Sequence, residues 1–194
     1  YNAGVLTGSD VFGTFKPNDN IIRAEAAAIL TRVALPEQRK TVVLMKQVQW
    51  GVAKLAIPQS AGAGVTENGM YTVTSEQDAC GVIATSVTDS AYKGLSVTVL
   101  SEQQMNNILT QAFNSTDGKL SNAKSTKVSF GSVKAYRTVG ILTTDEGAGD
   151  CLIFTYITGN KMDMICLLAY ENDTALKNMA NGLMVGGVTA SPQF

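Results

Sequence analysis

The chain reads as an α+β protein, an antiparallel meander sheet with two packed helices, preceded by a short helical segment. Three observations predict this. Runs rich in Val, Ile, Thr and Tyr recur between residues 50 and 170. Short Gly, Asn and Asp turns join the last four runs, which requires antiparallel pairing because parallel neighbours need a crossover of a dozen or more residues. Two stretches, one after Ser101 and one after Asn172, place apolar residues three and four apart behind a capping residue.

The elements follow in order. Gly8 and Gly13 bracket Ser9-Asp10-Val11-Phe12, a tight loop in which glycine takes positive φ without steric cost. Pro17-Asn18-Asp19-Asn20 is a turn cluster, and Ala24, Ala27, Ala28, Leu30 and Thr31 predict a helix from about Ile22 to Ala34 that Pro36 ends. The charged stretch Glu37-Gln38-Arg39-Lys40 marks a boundary between a unit of residues 1–40 and one of residues 41–194. Strands are expected at Trp50–Ile57, Met70–Thr74 and Ala79–Thr88. Ser101 and Gln104 have the spacing of a capping box, and Met105, Ile108, Leu109, Ala112 and Phe113 form the apolar stripe of the helix behind it. Four further strands are expected at Thr126–Phe130, Lys134–Thr143, Cys151–Thr158 and Met162–Tyr170, with hairpin turns at Asp145–Gly149 and Gly159-Asn160. Asn172 or Asp173 caps a last helix in which Leu176, Met179, Ala180, Leu183 and Met184 share a face, and Gly186-Gly187 is expected to end it.

Composition narrows the functions. At 194 residues the chain can bury one sizeable core plus a fragment, or two small ones. Hydrophobic content of 45% with 16% charged residues argues against disorder. Fifteen basic against sixteen acidic residues leave a net charge of −1, so nothing in the balance points to nucleic acid or to a polybasic membrane surface. No run approaches the roughly 18 apolar residues of a membrane span.

Catalytic chemistry is thinly represented. The absence of histidine removes Ser-His-Asp and Cys-His mechanisms and histidine-ligated zinc. Cys80, Cys151 and Cys166 lie in apolar strand contexts that raise a thiol pKa, so they read as buried small hydrophobes. A Cys151–Cys166 bridge is disfavoured because the Gly159-Asn160 turn sets the two diagonal rather than opposite. Paired carboxylates remain open as a route to glycoside hydrolysis: Asp145, Glu146 and Asp150 share one loop, and Glu76 and Asp78 flank another. The plainer reading makes them solvated turn residues. Asp145, Glu146 and Asp150 could also offer oxygen ligands to calcium, without the spacing of a known loop. Gly62-x-Gly64 leads into a strand rather than a helix, which gives no support for nucleotide binding, and no cofactor is expected. Asn114-Ser115-Thr116 and Asn172-Asp173-Thr174 match glycosylation acceptors but sit where helix-end turn residues are needed.

Gly4-Val5-Leu6-Thr7-Gly8, then Gly13-Thr14-Phe15-Lys16-Pro17, then Ile21-Ile22-Arg23-Ala24-Glu25 and an apolar helix, together resemble the second half of an S-layer homology (SLH) repeat. The repeat is truncated at its front, so the natural protein is expected to be longer. The resemblance implies attachment to a secondary cell-wall polysaccharide and an extracellular, wall-associated location. It also implies that Arg23 reads an acidic sugar beside Glu25, in balance with a purely structural role for the pair in pinning loop to helix. Phe15 and Pro17 read as core and turn. The family's usual Thr before the arginine is Ile22 here, so Asn20 or Asp19 must cap the helix or the cap is lost. If the half-repeat does not fold alone, its helix must dock on the larger unit or on a second copy of the chain.

Residues 45–188, by element order and the closing strand–helix pair, resemble the PsbP-like fold, which implies a small secreted or lipid-anchored protein of mostly non-catalytic role. The leading expectation is therefore a non-enzymatic binding or accessory domain held at a cell surface. A wall-directed, carboxylate-dependent glycoside hydrolase and a structural spacer are the alternatives.

Overall fold

The computed structural model describes residues 3–16, 18–40, 42–114 and 118–191. Helix α1 (Arg23–Ala34) stands in the N-terminal segment. Strands β1 (Met45–Trp50), β2 (Ala53–Pro58), β3 (Val65–Glu67), β4 (Met70–Ser75) and β5 (Cys80–Thr88) follow, then helix α2 (Glu102–Asn114). Strands β6 (Lys119–Phe130), β7 (Val133–Thr144), β8 (Gly147–Thr158) and β9 (Lys161–Ala169) come next, then α3 (Asp173–Gly182) and the short β10 (Met184–Val185) and β11 (Val188–Thr189). The class is α+β with antiparallel sheets, as expected.

The strands form two sheets rather than one. The larger has the order β3-β4-β5-β9-β8-β7-β6 and the smaller β1-β2-β10-β11. The β6–β9 meander forms as the turn residues require: Asp145-Glu146 closes β7 onto β8, with Thr144 opposite Gly147, and Gly159-Asn160 closes β8 onto β9, with Thr158 opposite Lys161. The predicted strand Trp50–Ile57 is instead a hairpin, because Gly51 takes φ +55 and reverses the chain at Gly51-Val52. Gly186-Gly187 does not end α3, which stops at Gly182. It turns β10 into β11, and β10 pairs with β2 through Met184–Lys54 and Val185–Ala53. Strand β3 was not anticipated.

The larger sheet is buried on both faces, which explains the unbroken buried run Cys151–Tyr156 on its interior strand β8. Leu152, Phe154 and Tyr156 point to the face covered by α3 and the smaller sheet, where Leu55, Ile57, Met179 and Leu183 meet them. Cys151 and Ile153 point to the other face, against Met105, Leu109 and Phe113 of α2. Phe130 packs edge-on against Phe154 and Tyr156, with ring centroids 5.7 and 6.1 Å apart. Such pairs add about 0.5–1.5 kcal/mol each beyond their burial. Among the described residues no helix is long and apolar enough to cross a membrane.

Helix α1 buries no residue, and Leu30 (68% exposed) and Val33 (57%) face solvent. Phe15, expected in a core, is 69% exposed; Pro17 lies outside the described residues. The junction with the rest of the chain is made by the glycine loop. Val11 and Phe12 pack against the α3-side core, and the Val11 carbonyl accepts from Met45 N, the first residue of β1, at 3.0 Å. Gly182 at the end of α3 allows this approach. A Cβ there would lie 2.5 Å from Ala56 Cβ and 3.2 Å from Phe12 and Val11 atoms.

Candidate functional site

The N-terminal loop is organised around one carboxylate. Asp10 Oδ1 accepts from the backbone N–H of Phe12 and of Thr14, each at 3.0 Å, and Oδ2 accepts from the Thr14 hydroxyl at 2.6 Å. The Thr14 hydroxyl, then its amide, hold the Asp10 carboxyl below its ordinary pKa. Gly8 (φ +76) and Gly13 (φ +72) are pressed together so closely that a Cβ on Gly8 would lie 2.6 Å from Gly13 Cα. The glycine spacing thus encodes a backbone contact as well as turn freedom. A groove of about 310 Å³ runs beside this loop, lined among others by Ser9, Asp10, Lys40, Thr174 and Asn178. Asn178 Nδ2 donates to the Val43 carbonyl at 2.9 Å and fixes the groove's far wall to α3.

Arg23 and Glu25 take different roles. Glu25 Oε2 accepts from Ile22 N at 2.9 Å, half of a capping box in which Ile22, lacking an acceptor, supplies nothing in return. Neither Asn20 nor Asp19 caps α1; the exposed Asp19 lies 3.8 Å from Lys16. Arg23 is exposed at the first position of α1, and its side chain makes no hydrogen bond or ion pair among the described residues. The pinning role belongs to two other arginines. Arg32 Nη1 donates to the Val5 carbonyl at 3.1 Å, and Arg39 Nε to the Arg32 carbonyl at 3.1 Å.

The carboxylates named from the sequence beyond residue 41 fall on or beside the β4–β5 and β7–β8 turns at one end of the larger sheet, where Cys80 and Asp150 both pair with Ala169. Asp145 and Glu146 form the exposed β7–β8 turn, and Asp150 lies exposed further along β8. Among the described residues no three Asp, Glu or Cys side chains gather as a metal-binding group. Asp78 belongs to a polar clip. Its Oδ2 accepts from the Ser60 hydroxyl and, at 3.1 Å, from Ser75 Oγ, while the two serine oxygens lie 2.6 Å apart. This clip ties the loop after β2 to the β4–β5 turn. Asn172 Oδ1 caps α3 by accepting from Ala175 N at 3.0 Å, which is the use its sequon-like sequence serves; Ser115 and Thr116 lie outside the described residues. Gly62-x-Gly64 serves packing, since a Cβ on Gly64 would collide with the Tyr71 ring.

All three cysteines are free and buried. Burial, assisted by the charge of Asp78, pushes the Cys80 thiol up to about 12. The Cys166 thiol is raised by its hydrogen bond with Cys151 and by burial. Cys151 faces Leu168 and Cys166 faces Ile153, so the two cysteines are diagonal across β8 and β9, as the turn requires.

One polar group escaped the sequence reading. Asp163 is buried on β9, opposite Tyr156, whose hydroxyl is buried without a hydrogen bond of standard geometry. Burial, then the Asp163 charge, raise the Tyr156 pKa. The only sequence signal was an acid inside the apolar run Met162–Leu168.

No family model matches the chain, and no curated protein matches it. Among solved structures it is similar to cyanobacterial PsbP (CyanoP) from Synechocystis sp. PCC 6803, with a TM-score of 0.55 and 10% identity over 75% of this chain and 94% of that one. A Bacteroides thetaiotaomicron VPI-5482 protein aligns with a TM-score of 0.45 and 8% identity over 69% of this chain and 45% of that one. The likeness to CyanoP assigns the fold as PsbP-like.

Proposed function

We propose that the chain is a cell-surface accessory module. Residues 1–40 belong to an SLH-type attachment to cell-wall polysaccharide, and residues 41–194 form a non-catalytic binding domain. The observation that carries this reading is the exposed Arg23, whose side chain is unengaged among the described residues, at the start of the helix that follows in sequence the loop organised by Asp10 and the Gly8–Gly13 contact. A free guanidinium on a fixed backbone is a suitable reader of an acidic sugar. Glu25 supports it by holding the helix start. For the larger unit, the support is that Asp78 is taken up in a clip and Asp145, Glu146 and Asp150 lie exposed on and beyond a turn.

Co-sedimentation of the natural full-length protein with purified wall polysaccharide tests the attachment, and release of reducing ends from the same polysaccharide tests the hydrolase alternative. Retention without release is expected. Release of reducing ends would favour the hydrolase, and no retention would remove the attachment.

A further inference from the structure

The β6–β7 hairpin concentrates positive charge. Between Gly118 and Thr144 the sequence holds four lysines, one arginine and no acidic residue. That is +5 in a chain of net charge −1, which leaves −6 on the remainder. Lysines on an edge strand ordinarily guard against edge-to-edge pairing, and β6 is an edge. The guard does not account for Lys134, which sits on the interior strand β7. Nor does it account for the end of β6, where Ser129 and Ser191 already exchange backbone hydrogen bonds of 3.5 and 3.0 Å.

Lys127 and Lys134 instead border a concavity of about 410 Å³ that they line with the hydroxyl residues Thr98, Ser129 and Ser191. Alternation along β6 puts Lys127 and Ser129 on one face, and Lys134 is the cross-strand partner of Ser129. Both lysines are exposed, and neither joins an ion pair among the described residues. No acidic residue lines the concavity.

We propose that this concavity binds a phosphate-bearing sugar or polyol. Two ammonium groups offer compact point charges suited to a phosphate oxyanion, whereas guanidinium favours planar bidentate partners. Each hydroxyl can donate or accept, which suits the polyol flanking a phosphate. The volume lies within the range of about 300–1,000 Å³ typical of small-ligand sites. The site does not involve residues 1–40, so it stands or falls separately from wall attachment.

The test is an NMR titration of the 194-residue chain with glucose 1-phosphate, at an ionic strength of about 0.01 M where screening is weak, with glucose as the neutral comparator. Saturable shifts are expected at the Thr98, Lys127, Ser129, Lys134 and Ser191 amides, with Kd on the order of 1 mM. The double variant Lys127→Gln/Lys134→Gln should weaken binding about tenfold or more, and the charge-matched Lys54→Gln/Lys119→Gln less than about twofold. A glycerol-phosphate polymer serves as a second probe. Binding much tighter than the monomer supports the site with a wall polymer as source, and equal affinity per phosphate supports it with a free metabolite as source. No saturable shift with either probe, equal losses in the two double variants, or glucose binding as tightly as its phosphate would overturn the proposal.

Discussion

Asn172 Nδ2 donates to the Asp78 carbonyl at 2.6 Å across 94 residues of sequence, while its Oδ1 caps α3. One amide therefore fastens the last helix to the β4–β5 turn, next to the Ser60–Ser75–Asp78 clip. Asn172→Ala removes both bonds and should lower stability by about 1–2 kcal/mol. Asp173→Ala, which leaves the cap, should cost far less. Urea unfolding of the two variants checks this, and equal midpoints would count against it.

Asp10 predicts a pH dependence with a definite sign. Its carboxyl is held low in the folded loop. The contribution to loop stability is therefore full above the unfolded value of about 3.9 and is lost as the pH falls through the lower folded value. Amide exchange at Phe12 and Thr14 should stay protected on acidification until below that range. Asp10→Ala should leave both amides unprotected at every pH. A carboxyl titrating at its ordinary value by NMR would contradict the assignment.

The contact at Gly182 offers a rescue experiment. Gly182→Ala forces a methyl into Ala56 and the Val11-Phe12 loop, which overpacking places at about 1–3 kcal/mol. Adding Ala56→Gly should recover part of the loss, because the two sites share one contact. Independent, additive effects in denaturant unfolding would show that the three segments do not meet there.

What was legible in the sequence was local. Ser101 and Gln104 form the reciprocal capping box their spacing announces, with Gln104 N donating to Ser101 Oγ at 3.2 Å and Ser101 N to Gln104 Oε1 at 2.8 Å. Asn172 and the Gly159-Asn160 turn were equally readable, since cap and turn chemistry is decided within four residues. The smaller sheet was not, because β10 finds its partner at Ala53-Lys54, some 130 positions earlier, and nothing near Met184 announces it. Arg23 was legible only by motif, and the separate fates of Arg23 and Glu25 required coordinates. The concavity beside Lys127 and Lys134 was not legible, because it depends on Thr98 and Ser191 arriving from distant segments.

The cysteines should be inert in the native state. Cys80, Cys151 and Cys166 are buried, with the Cys80 and Cys166 thiols raised in pKa. A thiol reagent at about pH 8 should label none of them until denaturant is added and all three afterwards. Mass analysis of the non-reduced protein should find no Cys151–Cys166 bridge.

The most direct measurement is the affinity of the natural full-length protein for purified wall polysaccharide, compared with its Arg23→Ala variant. The Arg23 side chain has no structural partner among the described residues, so the variant should fold and melt like the wild type. The attachment reading predicts retention of the wild type and a loss of about tenfold or more in the variant. Equal retention of the two, or none by either, would contradict it.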